Sequence, residues 1–333
     1  MRAIFLCEKE DHCREVYGES VMKRLYALTG LEETVYTKAD LLADPARFSD
    51  VEMIFSTWGM TVLTEEEIRA YLPRLRCVFY GAGSVQKFAR PFLNCGVKVF
   101  SAWAANAVPV AEYTVSQILL ANKSFFTLSR MVKDKQWDEA KERKETNVGN
   151  YGAKIGLIGC GMIGSLVAEM LKAYKLEVLV CDPFLSADRA RELNVTPVSL
   201  EELFRSCRVV SNHLANNVKT KGMLTYGLFS SMPPYATFLN TGRGAQVVEA
   251  DLVRALSERP DLTAVLDVTD PEPAPLDHPF YTLPNCFLTP HIAGSVGDEV
   301  VRMAEYMADE AERYLRGEPC RYEVSLKMLE TMA

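Results

Sequence analysis

The sequence predicts an α/β chain of two doubly wound parallel-sheet domains, and three observations carry that prediction. Short apolar runs rich in Val, Ile and Phe alternate with helix-length stretches, the pattern of parallel sheets covered on both faces. Near the middle, the apolar run Lys154–Ile158 enters Gly159-Cys160-Gly161-Met162-Ile163-Gly164, and about twenty residues on Leu179-Val180-Cys181 ends in Asp182. About 150 residues precede that glycine turn, and 333 residues exceed one ordinary core, so two domains are expected.

Before the turn the alternation is already complete. Ala3–Cys7 reads as a strand, Asp11–Leu28 as a helix and Glu33–Tyr36 as a strand, with Asp40–Phe48 irregular or helical. Val51–Phe55 is the next strand, and Thr64–Leu72 a helix in which Thr64 and Glu67 stand at capping-box spacing. Arg76–Tyr80 (strand), Val85–Cys95 (helix) and Val97–Ser101 (strand) complete a small domain of the flavodoxin-like kind. From Pro109 to about Lys133 a 3.6-residue period runs without glycine, which predicts one long helix. Six strands follow, at Lys154–Ile158, Glu177–Cys181, Val209–Asn212, Thr237–Asn240, Thr263–Asp267 and Cys286–Thr289, with Ala168–Tyr174 as helix after the first. Six is the count of two mononucleotide-binding halves, a Rossmann domain. The last helix, Val296–Arg316, stops at Gly317 before a short tail. If the two long helices are the crossovers, the tail returns to the first domain. Residues 1–103 with 297–333 then form a substrate domain, residues 104–296 the dinucleotide domain, and a cleft between them the expected active site.

Each residue of the glycine turn has a physical task. Gly159 makes the tight turn, Gly161 lets a pyrophosphate approach the backbone, and Gly164 lets helix and strand pack closely. The pyrophosphate then sits on the free N–H groups and positive end of the helix. Asp182 stands where a carboxylate accepts both ribose hydroxyls and repels a 2′-phosphate, which favours NAD over NADP.

Composition narrows the function classes. The chain is 48% hydrophobic and 24% charged, as soluble globular proteins are. A net charge of −7 and a pI near 5.4 argue against a nucleic-acid partner, which needs a basic face. Apolar stretches are strand-length, and Ala107–Leu120 carries Glu112, so no membrane anchor is expected. The N-terminus lacks a small-residue cleavage site and reads as a first strand. The nine cysteines are dispersed without a C-x-x-C or nearby histidine pairs, which predicts reduced thiols, no metal site and a cytoplasmic protein.

Three later segments carry chemistry: Leu239-Asn240-Thr241-Gly242-Arg243-Gly244, Leu266-Asp267-Val268-Thr269-Asp270-Pro271-Glu272-Pro273 and Leu288-Thr289-Pro290-His291-Ile292-Ala293-Gly294-Ser295. Each follows the C-terminal end of a predicted strand, the edge at which open α/β sheets bind ligands. Arg243 can grip a carboxylate bidentately, His291 can exchange a proton near neutral pH, and Glu272 can orient the imidazole and favour its charged form. Taken singly, a Gly-Arg-Gly turn, a Pro-His pair and a glutamate between prolines are ordinary surface features. Their convergence on one sheet edge is not.

At these residues the chain resembles the D-isomer-specific 2-hydroxyacid dehydrogenase family, from about Val78 to Ser295. LNTGRGAQVVEADLVRAL resembles the family's arginine segment, LDVTDPEPAPLDHPFYTLPNCFLTPHIAGS its glutamate and histidine segments, and AANAVPVAEYTV the start of its interdomain helix. The resemblance implies that Arg243 binds the substrate's carboxylate and keto oxygen, that Glu272 and His291 form the acid–base pair, and that Asp267 contacts the nicotinamide carboxamide. It places the cofactor on Gly159, Gly161, Met162, Ile163, Gly164 and Asp182, and along His213, Leu214, Ala215, Thr241, Gly242, Ala293 and Gly294. It places substrate on Arg243, Trp58 and the backbone of Ala82, Gly83 and Ser84. The implied activity is hydride transfer between NAD and a D-2-hydroxyacid, of the glyoxylate/hydroxypyruvate-reductase or D-lactate-dehydrogenase kind, in a homodimer joined through the helix after Pro109. The alternatives are oxidation of another small anion such as formate or phosphite, and an NAD-sensing corepressor-like protein.

Three departures from the family's text stand out. The loop that usually holds a valine–aspartate pair reads Ser84-Val85-Gln86-Lys87, and the His-x-Pro of the cofactor edge reads His213-Leu214-Ala215. Where phosphoglycerate-using members resemble one another in carrying an arginine, this chain has Ser56-Thr57-Trp58-Gly59-Met60, which argues against a phosphorylated substrate. His213 is expected in the cofactor pocket or in a structural role, and His12 and His278 at the surface. The sequence ends soon after Arg316, so no appended regulatory domain is expected.

Overall fold

A computed structural model describes residues 1–330; residues 331–333, the end of the tail assigned to the first domain, lie outside the described residues. The chain divides into two compact units, Met1–Asn106 with Ser295 onward, and Ala107–Gly294.

The first unit opens with β1 (Arg2–Leu6), α1 (Glu10–Thr29), β2 (Val35–Tyr36), α2 (Lys38–Ala43), β3 (Val51–Ser56), α3 (Glu65–Tyr71), β4 (Cys77–Tyr80), α4 (Ala89–Asn94) and β5 (Lys98–Ser101). Its parallel strands lie in the order β5-β4-β3-β1-β2, the flavodoxin-like arrangement. One phenylalanine on each of β1, β3, β4 and β5 marks the register: Phe5 pairs with Phe55, Phe55 with Phe79 and Phe79 with Phe100. The Phe55–Phe79 and Phe79–Phe100 rings stack at 5.1 and 4.8 Å. Burial of each ring contributes about 2–3 kcal/mol, and a one-residue slip would turn the whole row to the opposite face. The Thr64 and Glu67 capping box forms as expected. The helix expected over 85–95 is shorter, since residues 86–88 are turn and α4 starts at Ala89.

The long helix expected from Pro109 to Lys133 is two. α5 (Trp103–Asn122) starts earlier and keeps Pro109 in its interior, and the chain breaks at Lys123-Ser124 before α6 (Phe125–Lys133). Ser124 sits in the left-handed region at φ 52°, which a hydrophobic period does not register. The mixed-charge run that follows contains α7 (Trp137–Lys144).

The second unit continues with β6 (Tyr151–Ile158), α8 (Met162–Leu171), β7 (Lys175–Cys181), α9 (Ala187–Leu193), β8 (Thr196–Pro197), α10 (Leu200–Ser206), β9 (Val209–Asn212), α11 (Tyr226–Ser230), β10 (Thr237–Asn240), α12 (Glu249–Glu258), β11 (Thr263–Leu266) and β12 (Cys286–Leu288). Its sheet has seven strands, in the order β12-β11-β10-β9-β6-β7-β8, where six were expected. β8 is two residues long and escapes an apolar-run criterion, yet it fills the third place of the Rossmann order, and β12 is the added edge. The helix expected at 168–174 begins at Met162 instead, directly behind the glycine turn. Strand order reverses between β6 and β9, so the loops leaving those two strands flank the crevice where such sheets bind ligands.

After β12 the chain returns to the first unit through α13 (Val301–Arg316), preceded by a 3-10 turn at Gly297–Val300, where one helix from Val296 was expected. β13 (Glu323–Val324) then pairs antiparallel with β5 as the sixth strand of the first sheet.

Candidate active site

The turn after β6 is built for close approach. Gly159 has φ +90°, and a Cβ on it would lie 2.9 Å from the His213 carbonyl oxygen; one on Gly164 would lie 2.1 Å from the Gly159 carbonyl oxygen. A Cβ on Gly161 meets nothing within 4 Å, so the side of the turn expected to face pyrophosphate is open. The first-turn N–H groups of α8, at Met162 and Ile163, have no helical acceptor before them and form the positive end of that helix. Asp182 accepts the Cys160 N–H at 2.6 Å and the Phe184 N–H at 2.7 Å, which fixes its carboxylate beside the turn. These residues fit a dinucleotide.

On the other side of the switch point, His213 Nε2 lies 2.9 Å from Ser211 Oγ, while Nδ1 is sealed from solvent with no partner among the described residues. Burial pushes this imidazole down to about 4, so it is neutral at pH 7. Leu214 packs on the core of the sheet, and the Ala215 carbonyl accepts the Thr220 hydroxyl at 2.6 Å.

Arg243 leaves the end of β10. One guanidinium nitrogen donates to the Gly242 carbonyl at 2.7 Å. Burial pulls the guanidinium below the ordinary arginine value, and the Glu272 carboxylate opposes that shift. Glu272 therefore lies within electrostatic reach. Gly244 is flush with the backbone of the glutamate loop, for a Cβ there would sit 2.1 Å from the Thr269 carbonyl carbon. The Thr241 hydroxyl bonds Thr114 of α5 at 3.2 Å.

Glu272 and His291 meet. Glu272 Oε1 lies 2.7 Å from His291 Nδ1, both side chains are about two-fifths exposed, and Nε2 points away with no partner among the described residues. His291 holds φ +57°, an uncommon conformation for a residue with a Cβ. Asp267 holds it there: only 2% exposed, it accepts N–H bonds from Ile292 and Ala293, both at 2.8 Å, and the Thr289 hydroxyl at 2.6 Å. The residue assigned by resemblance to the nicotinamide is thus first the clamp of the histidine loop, and the Ala293 amide is committed to that clamp. Gly294 ends the second unit. His278, expected at the surface, is half-buried; Nδ1 accepts the Phe280 N–H and Nε2 lies 3.4 Å from Glu249 Oε2. Glu249 also accepts the Asp270 N–H at 2.9 Å, so this pair holds the strand-end loop that carries Glu272.

In the first unit, the Ser101 hydroxyl faces the carbonyls of Ala82 at 2.9 Å and Gly83 at 2.7 Å. That pins the loop by its oxygens, and among the described residues no hydrogen bond uses the N–H groups of Ala82, Gly83 or the exposed Ser84. Trp58 is half-buried, with its ring edge-on to His12 at 6.5 Å. His12 is likewise half-buried rather than a surface residue, because that aromatic contact covers it.

The sequence reading missed the buried carboxamides Asn212, Asn240 and Gln246, which are 0%, 1% and 0% exposed. Polar amides closing the apolar runs Val209-Val210-Ser211 and Thr237-Phe238-Leu239 were the available signal.

With the fold and this geometry in place, comparison with known proteins assigns the class. The profile of the D-isomer specific 2-hydroxyacid dehydrogenase, NAD binding domain, matches residues 115–293. The chain is 31% identical over 279 residues to a formate dehydrogenase of Neurospora crassa, covering 80% of this chain and 74% of that one. It is 31% identical over 235 residues to a D-3-phosphoglycerate dehydrogenase of Archaeoglobus fulgidus, covering 71% of this chain but 44% of the relative. The chain thus spans less than half the length of the phosphoglycerate dehydrogenases it matches, which include those of Bacillus subtilis and Synechocystis.

Among solved structures, a protein of Thermus thermophilus superposes with a TM-score of 0.74 at 26% identity, over 98% of this chain and all of that one. The D-mandelate dehydrogenase of Rhodotorula graminis reaches a TM-score of 0.80 at 18% identity over 97% of each chain, a likeness of fold alone. The chain belongs to the D-isomer specific 2-hydroxyacid dehydrogenase family, and its second unit is that family's NAD-binding domain.

Proposed function

We propose that this chain is an NAD-dependent dehydrogenase that interconverts a small 2-oxoacid and its D-2-hydroxyacid, with Arg243, Glu272 and His291 as its catalytic residues. The observation that carries this reading is the Glu272–His291 pair at 2.7 Å, placed at strand ends of an NAD-binding sheet within electrostatic reach of Arg243. NAD supplies one thing, a hydride accepted from or given to the substrate carbon.

The chain's own residues do the rest. Arg243 grips the carboxylate and the keto oxygen from a partly desolvated position, where its charge is little screened. His291 gives a proton from Nε2 to the oxygen on reduction and takes it from the hydroxyl in reverse. Glu272, bonded to Nδ1, fixes the ring, and the charge developing on oxygen is met by Arg243 and the imidazolium. The unused N–H groups of Ala82, Gly83 and Ser84 are assigned to the substrate carboxylate, with Trp58 beside the rest of the substrate. The absence of a cation from Ser56–Met60 supports an unphosphorylated substrate.

Formate oxidation is the second reading, supported by the Neurospora crassa relative. It requires no proton to leave an oxygen, so the acid–base pair favours a hydroxyacid. An NAD-sensing role like that of the family's corepressor members is the third. NADH oxidation with glyoxylate, hydroxypyruvate, pyruvate and bulkier 2-oxoacids, run beside NAD reduction by formate, separates these readings. Turnover of at least one oxoacid is expected; NAD reduction by formate alone would overturn the proposal in favour of the second reading, and tight NADH binding with no turnover in either arm in favour of the sensor. We place the protein in the cytoplasm as a homodimer joined through α5, and light scattering at the monomer mass would refute the dimer.

A further inference from the structure

The three buried carboxamides form one connected set within the second unit. Asn212 and Asn240 end neighbouring strands and pair directly in register. Asn212 Nδ2 donates to Asn240 Oδ1 at 3.0 Å and to Gln246 Oε1 at 2.6 Å. The remaining polar atoms of the trio all turn to backbone. Asn240 Oδ1 accepts the Gly242 N–H and Asn240 Nδ2 donates to the Arg243 carbonyl, each at 3.1 Å. Gln246 Oε1 accepts the Arg243 N–H at 3.2 Å, and Gln246 Nε2 donates to the Leu214 carbonyl at 2.8 Å. Asn212 Oδ1 accepts the Leu214 N–H at 3.3 Å. Reversing any amide would set donor against donor, so the orientations are mutually enforced.

We infer that Asn212 and Gln246 are positioning residues, which clip the Gly242-Arg243 backbone to the Leu214 segment and thereby set where the Arg243 guanidinium is presented. Two facts give the clip its leverage. The guanidinium's own hydrogen bond goes to the neighbouring Gly242 carbonyl, so the side chain follows its backbone. A Cβ on Gly242 would lie 3.1 Å from both Asn212 Nδ2 and Gln246 Oε1, so the strap lies directly on the two amides. The carboxamides are buried and cannot touch a ligand themselves. They act through Arg243. The inference rests on the reading of Arg243 as the carboxylate-binding residue, but the geometry it concerns is the chain's own.

The test compares N212L, Q246L and the double variant. Each single change removes part of the clip; the double change removes all of it and leaves the Leu214 N–H, the Leu214 carbonyl and the Arg243 N–H without their side-chain partners, so the double variant is expected to melt below either single variant. The double variant is expected to raise KM for the 2-oxoacid on the order of 10- to 100-fold, the loss typical of a displaced positioning group, and the single variants by less. A parental KM in all three variants would overturn the inference. R243A is assayed alongside. If R243A leaves KM and kcat unchanged, the functional reading of Arg243 fails; if R243A is crippled while the double variant matches the parent, only the positioning inference fails. A readout free of turnover is phenylglyoxal labelling followed by peptide mass spectrometry. Labelling of Arg243 is expected to be several-fold faster in the double variant and that of exposed Arg254 unchanged. An unaltered Arg243 rate would refute the clip whatever the enzyme turns over.

Discussion

Replacing Gly244 with alanine tests whether the arginine and glutamate loops are mechanically joined. The added methyl would lie 2.1 Å from the Thr269 carbonyl carbon, 2.3 Å from its oxygen and 2.5 Å from the Asp270 nitrogen. Ordinary contact begins at 3.4 Å, so the loops must part by about 3.4 − 2.1 = 1.3 Å. Both sides are backbone, and no flexible side chain can absorb the shift. Arg243 is the next residue on one side, and Glu272 stands two residues beyond Asp270 on the other. A misplacement of about 1 Å lowers catalysis on the order of 100-fold, or about 2.7 kcal/mol of barrier. Overpacking costs about 1–3 kcal/mol of stability. Steady-state kcat/KM for the best 2-oxoacid and urea unfolding of G244A measure the two effects separately. Activity within threefold of the parent, with an unchanged unfolding midpoint, would refute the argument.

Gly161→Ala is the counterpart at the cofactor turn. Its Cβ meets no atom within 4 Å and its φ of −70° suits alanine, so the thermal midpoint should hold while NADH binding weakens about tenfold, about 1.4 kcal/mol; unchanged affinity by fluorescence titration would contradict the pyrophosphate assignment. His213 gives a pH signature. Its folded value of about 4 lies below the ordinary 6.5, so between those pH values the unfolded chain binds the extra proton and stability falls as pH falls. Between pH 7.5 and 5 the loss is about 2 kcal/mol, and urea unfolding of His213→Gln should show a pH dependence shallower by that amount. Equal slopes in parent and variant would show that the imidazole charges freely in the folded state.

Much of this was legible in the sequence. β9 and β10 start and end where their apolar runs do, because each is a fully buried strand whose ends coincide with a change in polarity. Thr64 and Glu67 announced the start of α3 through a local hydrogen-bond pattern that needs no tertiary partner. Glu272 and His291 could be paired in advance because strand ends of one parallel sheet share an edge. What escaped was what distance along the chain conceals. β8 has two residues and is a strand only because β7 offers it an edge. The break at Ser124 is a backbone angle rather than a composition, and the α8 N-terminus hides inside a glycine-rich turn whose propensity argues against helix. Asn212 and Gln246 are 34 positions apart, and only folding shows that one amide bonds the other.

The most direct test of the catalytic assignment is single-turnover oxidation of bound NADH by the preferred 2-oxoacid in H291A, beside fluorescence titration of NADH. The assignment predicts NADH affinity within about twofold of the parent and a rate lower by about 10²–10⁴, the range of a lost general acid. A rate equal to that of the parent, with NADH bound, would contradict it.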